Sequence, residues 1–525
     1  MSATRMAHSQ KYDSKAHYKR AKNKNNSALF LGIKTIFKAQ YICFPVNMHF
    51  HSTTIGIALF AATANAQTEL KEKIWGTVVF TTVGQGNPGL SDAELTPLGT
   101  RQLIHAGASV RNRYISPLPE GAVEFHQIDG IPPSNFTNGE IDVVVTSDQL
   151  TSASAQAFMQ GLYPPTSLPR SDNASFPLSN FETLTAANPA VIELAGNVNC
   201  PLLNGVRLAL LQNEDLDALQ DGAEAFYRGL HARVLDGLIK PNKLHLLNAR
   251  LIWEHLDYQY ANNETARNLI SAEELGRARY LASRMTSALN SQPFTMADRQ
   301  YTRAVAGKTL APAITRALES NVESRGTNKK MSLLFGDVST MIAFASVAGV
   351  SGHQQEFQGM PNHGASMSIE LFSRPSDNST DYPEKATDLQ VRFLIRNGTS
   401  TADADAGYVP YPLFASKVEI PYDEFISQMG SISMSTTQWC SFCGSEAEFC
   451  PPVADQKDND NNDDHVNVDQ KSYKQDQRRL QALMVVGAII VFMMVVGGIF
   501  ALVSYCLGWR KPKVDAGKDP ERDVD

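Results

Sequence analysis

The chain has 525 residues, 43% hydrophobic and 19% charged, which excludes a largely disordered chain and a nucleic-acid-coating protein. Its net charge of −7 hides an asymmetry: residues 1–47 carry nine Lys/Arg against Asp13 alone, so the remainder stands near −15. An acidic body has no electrostatic reason to bind nucleic acid, and six cysteines are too few for a dense disulfide scaffold.

Residues 1–47 read most simply as an upstream extension ahead of the true initiator, Met48; a basic mitochondrial presequence is the rival. Residues 48–66 form a signal peptide. The apolar stretch Ile55–Ala62 is too short to span a bilayer, and Ala64-Asn65-Ala66 is an A-x-A cleavage site.

Within 67–450, Gly76–Thr82 is a buried-strand run closed by Gly84 and Pro88. Thr96 as N-cap and Pro97 at the first helical position then open an amphipathic helix through Leu103, Ala106, Val110 and Tyr114. Ile141–Thr146 is a second strand before a helix at Ser152–Leu162. Met331–Gly336 is a third, before a helix from about Ser339 to Ala348. Ser366–Phe372 and Leu389–Ile395 are further β stretches. Strands alternating with helices predict an α/β fold with parallel strands. Ligands in such folds bind beyond the carboxyl ends of strands, here the loops Thr82–Pro88, Ser147–Leu150 and Asp337–Ser339.

After the body, 451–481 is a polar stalk rich in Asp, Asn, Gln and Lys. Its acidic run Asp458–Asp464 lacks the glycine and terminal glutamate of an EF-hand. Ala482–Leu507 is apolar and uncharged, long enough for a single transmembrane helix, and 508–525 is a charged tail that argues against a GPI signal. With the cleavable signal this gives a type I membrane protein of the secretory pathway, its body luminal or extracellular. Plasma membrane, vacuole and endoplasmic reticulum are not distinguished. Five sequons, at Asn135, Asn173, Asn263, Asn378 and Asn397, fit that route as glycosylation sites.

Three ordered blocks carry a resemblance. "VVFTTVGQGNPG…LTPLGTRQLIHAGASVRNRYI", "VTSDQLTSASAQAFMQGLYPP" and "MSLLFGDVSTMIAFASVAGV" resemble the histidine acid phosphatases, the phytase-related branch of the phosphoglycerate-mutase-like superfamily. "WCSFCGSEAEFC", Trp439–Cys450, resembles their cysteine-bearing end. The resemblance implies a phosphoglycerate-mutase-like sheet with flanking helices and a smaller, mostly helical domain. It also implies a phosphohistidine mechanism run by the motif R-H-G-x-R-x-P, a further arginine and a His-Asp pair.

This chain departs from the pattern at every one of those positions. The motif reads Thr82-Val83-Gly84-Gln85-Gly86-Asn87-Pro88, so the nucleophile position is Val83 and the arginine positions are Thr82 and Gly86. The third arginine aligns with Leu150 and the His-Asp pair with Val338-Ser339. Phosphoryl transfer needs a nucleophile, a leaving-group acid and cations around the phosphoryl oxygens, and an isopropyl group supplies none of these. Asp148 and Asp337, the ionisable residues in these loops, would repel a phosphate dianion.

No cofactor or metal is expected. His105, His231, His245 and His255 lack a partnered nucleophile at recognisable spacing. Cys440, Cys443 and Cys450, with no nearby His, are read as joining Cys200 in two disulfides rather than holding zinc, with all three connectivities open. The expectation is a membrane-anchored pseudophosphatase with a binding or other non-catalytic role, its partner unnamed. The alternative is a phosphomonoester or other hydrolase working through non-standard residues in the same cleft.

Overall fold

The computed structural model describes residues 72–451 except 89–92, 117–125, 135–138, 165–180, 211–213, 292–302, 351–358, 376–380 and 399–406. The segments expected to be an N-terminal extension, a signal peptide, a membrane helix, a tail and, beyond Pro451, a stalk, and the sequons Asn135, Asn173 and Asn378, lie outside the described residues. Among the described residues, no helix is long and apolar enough to cross a membrane. The two described sequons, Asn263 and Asn397, are both exposed.

Strand β1 (Lys73–Thr82) has nine of its ten residues buried, because both of its faces are covered. It is followed by α1 (Pro97–Tyr114), β2 (Ile141–Thr146), α2 (Gln149–Leu162) and β3 (Glu182–Leu184). A helical section comes next: α3 (Val191–Ala195), α4 (Leu202–Leu210), α5 (Glu214–Leu230), α6 (Ala249–Asn262), α7 (Glu264–Arg267), α8 (Ala272–Asn290) and α9 (Val305–Glu323). Then come β4 (Met331–Gly336), α10 (Val338–Val347), β5 (Ser366–Ser373), β6 (Gln390–Arg396), β7 (Val409–Tyr411), β8 (Glu419–Pro421), α11 (Tyr422–Ile432) and α12 (Thr436–Cys443).

The strands form one sheet in the order β3-β2-β4-β1-β5-β6-β7, with β8 also on β6. β3, β2, β4 and β1 run parallel, whereas β5, β6, β7 and β8 pair antiparallel. The expectation of parallel strands therefore holds for half of the sheet and is corrected for the rest. Each parallel pairing is fed by a helical crossover. No α-helix is described between β5 and β6 or between β6 and β7, so the chain returns directly and reverses direction.

The pleat divides the core. Val79 and Leu333 point to the face covered by α1 and α2, while Val78, Phe80 and Leu334 meet α9 and α10 on the other. α1 begins as its sequence predicts: Thr96 Oγ1 accepts a 2.9 Å hydrogen bond from the Gly99 amide ahead of Pro97. α2 starts three residues earlier than expected because Asp148 is its N-cap, accepting from the Thr151 amide at 2.8 Å. The helices α5, α6 and α8 enclose a second core, built on Tyr227, Trp253, Leu256 and Leu281 and joined to the sheet side through Ile342 and Met360. Two disulfides, Cys200–Cys443 and Cys440–Cys450, tie α12 to the start of α4 and to the residues after it.

Candidate functional site

The carboxyl ends of β1 and β4 and the first turn of α2 open on a cleft, closed from the far side by α6 and by residues 360–363. Thr82, Val83, Gly84, Gly86, Leu150 and Val338 all line it. Ser339 does not; it lines a neighbouring, larger cavity of about 740 Å³. Asp148 is absent from the lining because its carboxylate is spent on capping α2. The cleft has a cavity volume of about 170 Å³, below the roughly 300–1,000 Å³ of a typical small-molecule site.

The turn after β1 packs directly on α1 and α2, and its amides are already used. Gly84 N–H donates to Ser154 Oγ at 3.2 Å and Gln85 N–H to Gln102 Oε1 at 2.9 Å. The Gln85 carbonyl accepts from Thr96 N–H and Thr96 Oγ1. Glycine is required at position 84, where a Cβ would lie 2.7 Å from the Gly99 carbonyl oxygen. Opposite the turn, a Cβ on Gly86 would come within 3.0 Å of Leu150 Cδ2. These two positions, arginines in the resembled motif, thus meet across the cleft with no cation between them.

The cleft nevertheless has charge, and apart from Asp337 it comes from residues the sequence did not single out. Arg250 and Glu254 on α6 stand four residues apart, and the Arg250 guanidinium uses four of its five N–H donors. Nε donates to Glu254 Oε1 at 2.7 Å, Nη1 to Asp337 Oδ1 at 2.8 Å and Ser339 Oγ at 3.0 Å, and Nη2 to Asp337 Oδ2 at 2.5 Å. Burial disfavours the Asp337 carboxylate, but the bidentate Arg250 contact and the Ser339 bonds outweigh it and hold Asp337 well below the usual carboxylate range. Asp337 is therefore favoured as a paired carboxylate and is a poor proton donor.

Beside it, His363 stacks on Trp253 with ring centroids 5.5 Å apart, and its Nε2 lies 3.6 Å from Asp257 Oδ2. Gln85 Nε2 donates to the same Asp257 oxygen at 2.6 Å. Burial opposes the Asp257 charge, yet the His363 and Gln85 contacts and nearby Arg279 depress its pKa. His363 reaches the cleft because the Gly364 amide donates to the Val83 carbonyl, setting the imidazole's segment against Val83. The histidines weighed from sequence lie elsewhere. His105 is exposed on α1, His231 bonds the Ile239 carbonyl, His245 faces Asn248, and His255 is buried in the helical core. A helical i,i+4 Arg-Glu pair was the available signal for Arg250; nothing local marks His363.

Among the described residues, no group of three or more His, Cys, Asp or Glu side chains is placed to hold a metal ion. What remains is a small cleft lined by three carboxylates, one bound guanidinium and one imidazole.

Solved structures with some likeness to the chain include three phosphatases. The chain is similar to the phytase from Citrobacter braakii at 15% identity, with a TM-score of 0.48, covering 71% of this chain and 99% of that one. Against the phytase of Klebsiella sp ASR1 the identity is 13% and the TM-score 0.47, covering 73% and 99%. Against the Bifidobacterium longum multiple inositol polyphosphate phosphatase they are 13% and 0.40, covering 70% and 94%. No curated protein matches the chain. The family profile described as histidine phosphatase superfamily (branch 2) matches residues 9–395, well over half of the sequence. The chain belongs to the histidine phosphatase superfamily, branch 2.

Proposed function

We propose that this protein is a pseudophosphatase, a type I membrane-anchored member of its family whose luminal or extracellular body binds rather than hydrolyses. The observation that carries this is the meeting of Gly86 with Leu150 beside Val83. Where phosphoryl oxygens would need several cationic donors, the wall is apolar and the turn's amides at Gly84 and Gln85 are already bonded. Losing one such donor costs roughly 3–4 kcal/mol of transition-state stabilisation, and here several are missing together. The anchoring rests on the sequence of 482–507, and the luminal placement on the signal peptide, the exposed Asn263 and Asn397, and the disulfides.

A second reading has one observation in its favour. Arg250 and His363 line the same cleft, and a hydrolase of altered chemistry would use that pair. It is the weaker reading because Arg250 is committed to Asp337 and Glu254 and cannot embrace a phosphoryl group without breaking both contacts.

The test is hydrolysis of p-nitrophenyl phosphate and phytate between pH 3 and 8 by the full-length protein, alongside Arg250→Ala and His363→Ala variants. The expected result is turnover no higher than in either variant, and no phosphohistidine. Turnover abolished by His363→Ala would establish the hydrolase instead.

A further inference from the structure

We propose that two N-linked glycans, on Asn263 and Asn397, rim the cleft, so that its partner is a small solute and not a macromolecule. The inference rests on the luminal, non-catalytic reading above and names the class of partner. Both described sequon asparagines meet one end of the cleft, where Asp257 accepts from Gln85 Nε2 at 2.6 Å and lies 3.6 Å from His363 Nε2. Asn397 is exposed just past the end of β6, and its Oδ1 accepts from the Asn362 amide at 2.9 Å. The Gly398 carbonyl accepts from Asn362 Nδ2 at 2.6 Å, and a Cβ on Gly398 would lie 2.0 Å from the His363 carbonyl oxygen. This sequon is therefore packed on Asn362 and His363, which line the cleft. Asn263 arrives by another route. It is exposed and directly follows α6, whose Asn262 Nδ2 donates to Gln85 Oε1 at 3.1 Å. That helix end stands about 7.5 Å along the axis from Asp257.

Both side chains accept the modification without losing their contacts. An N-glycan forms when the asparagine Nδ2 attacks C1 of a sugar on a lipid-linked pyrophosphate donor. The N–C1 bond forms, the C1–O bond to the pyrophosphate breaks, and Nδ2 gives up one proton and keeps the other. Oδ1 is untouched, so Asn397 keeps its bond from the Asn362 amide. Asn263 keeps both of its contacts: Oδ1 accepts from the Ala266 amide at 3.2 Å as the cap of α7, and Nδ2 still has one proton for Gln259 Oε1 at 3.0 Å. Such sugars are bulky and hydrated. Two of them rooted at one end of a cavity of about 170 Å³ leave passage for a small solute and bar a folded protein surface.

The experiment expresses the full-length chain in a eukaryotic host with Ala93→Cys, a position in the cleft lining, and follows maleimide labelling there over the chain without that substitution. Peptide mass spectrometry is expected to find sugar on both Asn263 and Asn397. N-ethylmaleimide should label position 93 at the same rate with and without Thr265→Ala/Thr399→Ala, a pair that removes both sequons and leaves both asparagines in place. A polymer-linked maleimide should label roughly threefold or more faster once the sequons are gone. Glycosidase trimming of the folded Ala93→Cys protein gives the same comparison should the sequon variant fail to fold. Polymer labelling that does not rise overturns the inference, as does a bare Asn263 or Asn397, or a position 93 closed to N-ethylmaleimide. The failures are distinguishable. All five sequons bare removes the luminal placement as well, whereas sugar on Asn135, Asn173 or Asn378 alone overturns only the rim. Phosphomonoester turnover that is lost with His363→Ala overturns the pseudophosphatase assignment and not the rim.

Discussion

Asp337 does two jobs at one position, capping α10 through the Ser339 amide at 2.8 Å and holding Arg250 by two contacts. Removing its charge would leave a half-buried guanidinium with only Glu254 as counter-ion. Asp337→Asn is therefore expected to lower stability by about 1–3 kcal/mol, the loss of a fully buried pair discounted for partial exposure. A urea-unfolding double-mutant cycle with Arg250→Met checks the cause. If the pair is what matters, the double variant loses clearly less than the sum of the singles. The same residue explains how charge in this cleft escapes a motif reading. Asp337 stands in a loop where sequence sees only a repulsive carboxylate, while its partner lies 87 residues away.

At the scale of elements, α1 and α2 cross so closely that only hydrogen fits at two positions. A Cβ on Gly107 would lie 1.9 Å from the Phe158 carbonyl oxygen, and one on Gly161 1.9 Å from that of Ile104. Backbone cannot yield as a flexible side chain does, so Gly107→Ala should cost about 1–3 kcal/mol or more by overpacking. Gly276→Ala in α8, with nothing within 4 Å of its added Cβ, should instead stabilise by up to about 1 kcal/mol through helix propensity. Opposite signs in urea midpoints would confirm that contact, not glycine content, fixes the crossing. The crossing matters to the site because α1 and α2 carry the groups that bond the turn after β1, namely Thr96, Gln102 and Ser154. α9 shows a related accommodation. Pro312 lacks an N–H, and the Lys308 carbonyl four residues earlier takes the Met434 amide at 2.9 Å instead.

At the scale of the molecule, the antiparallel half of the sheet is pinned by a buried ionic network. Glu370 is fully buried and accepts from Arg113 Nε at 2.6 Å, Arg392 Nη2 at 2.6 Å and the Tyr114 hydroxyl at 2.7 Å. Arg392 extends the chain of charges to Glu72, and Arg374 joins Glu72 to Glu419. Burial penalises both carboxylates. Contacts with Arg113 and Arg392 nonetheless hold Glu370 below its ordinary value, and His126, Arg392 and Arg374 bring Glu72 down to about 2. Depressed carboxylate pKa values stabilise the fold above the unfolded value of roughly 4.3, and that stability is lost as pH falls through the folded values. Urea midpoints should accordingly hold steady from pH 7 to about 5 and fall steeply between about 4.5 and 2. Glu370→Gln should lose about 3–5 kcal/mol at pH 7, since it strands the buried Arg113 and takes one of the carboxylates from Arg392, and show a flatter acid limb.

How far the sequence reaches follows from the range of the forces that set each feature. Thr96-Pro97, the apolar run of β1 and the Met331–Gly336 strand depend on neighbours within a turn or a pleat, so they are legible one residue at a time. The side-chain chemistry at the resembled motif's positions is likewise local, since Val83, Gly86 and Leu150 have no ionisable group wherever the chain puts them. The direction of β5 and β6, the choice among three disulfide pairings, and the entry of Arg250, Asp257 and His363 into the cleft are set by contacts across tens to hundreds of residues. The sequence by itself determined which side chains stand at the positions of the resembled motif, because a side chain's chemistry travels with the residue. Only the tertiary structure decided which distant groups meet them in the cleft, because pairing and burial are properties of where distant segments meet.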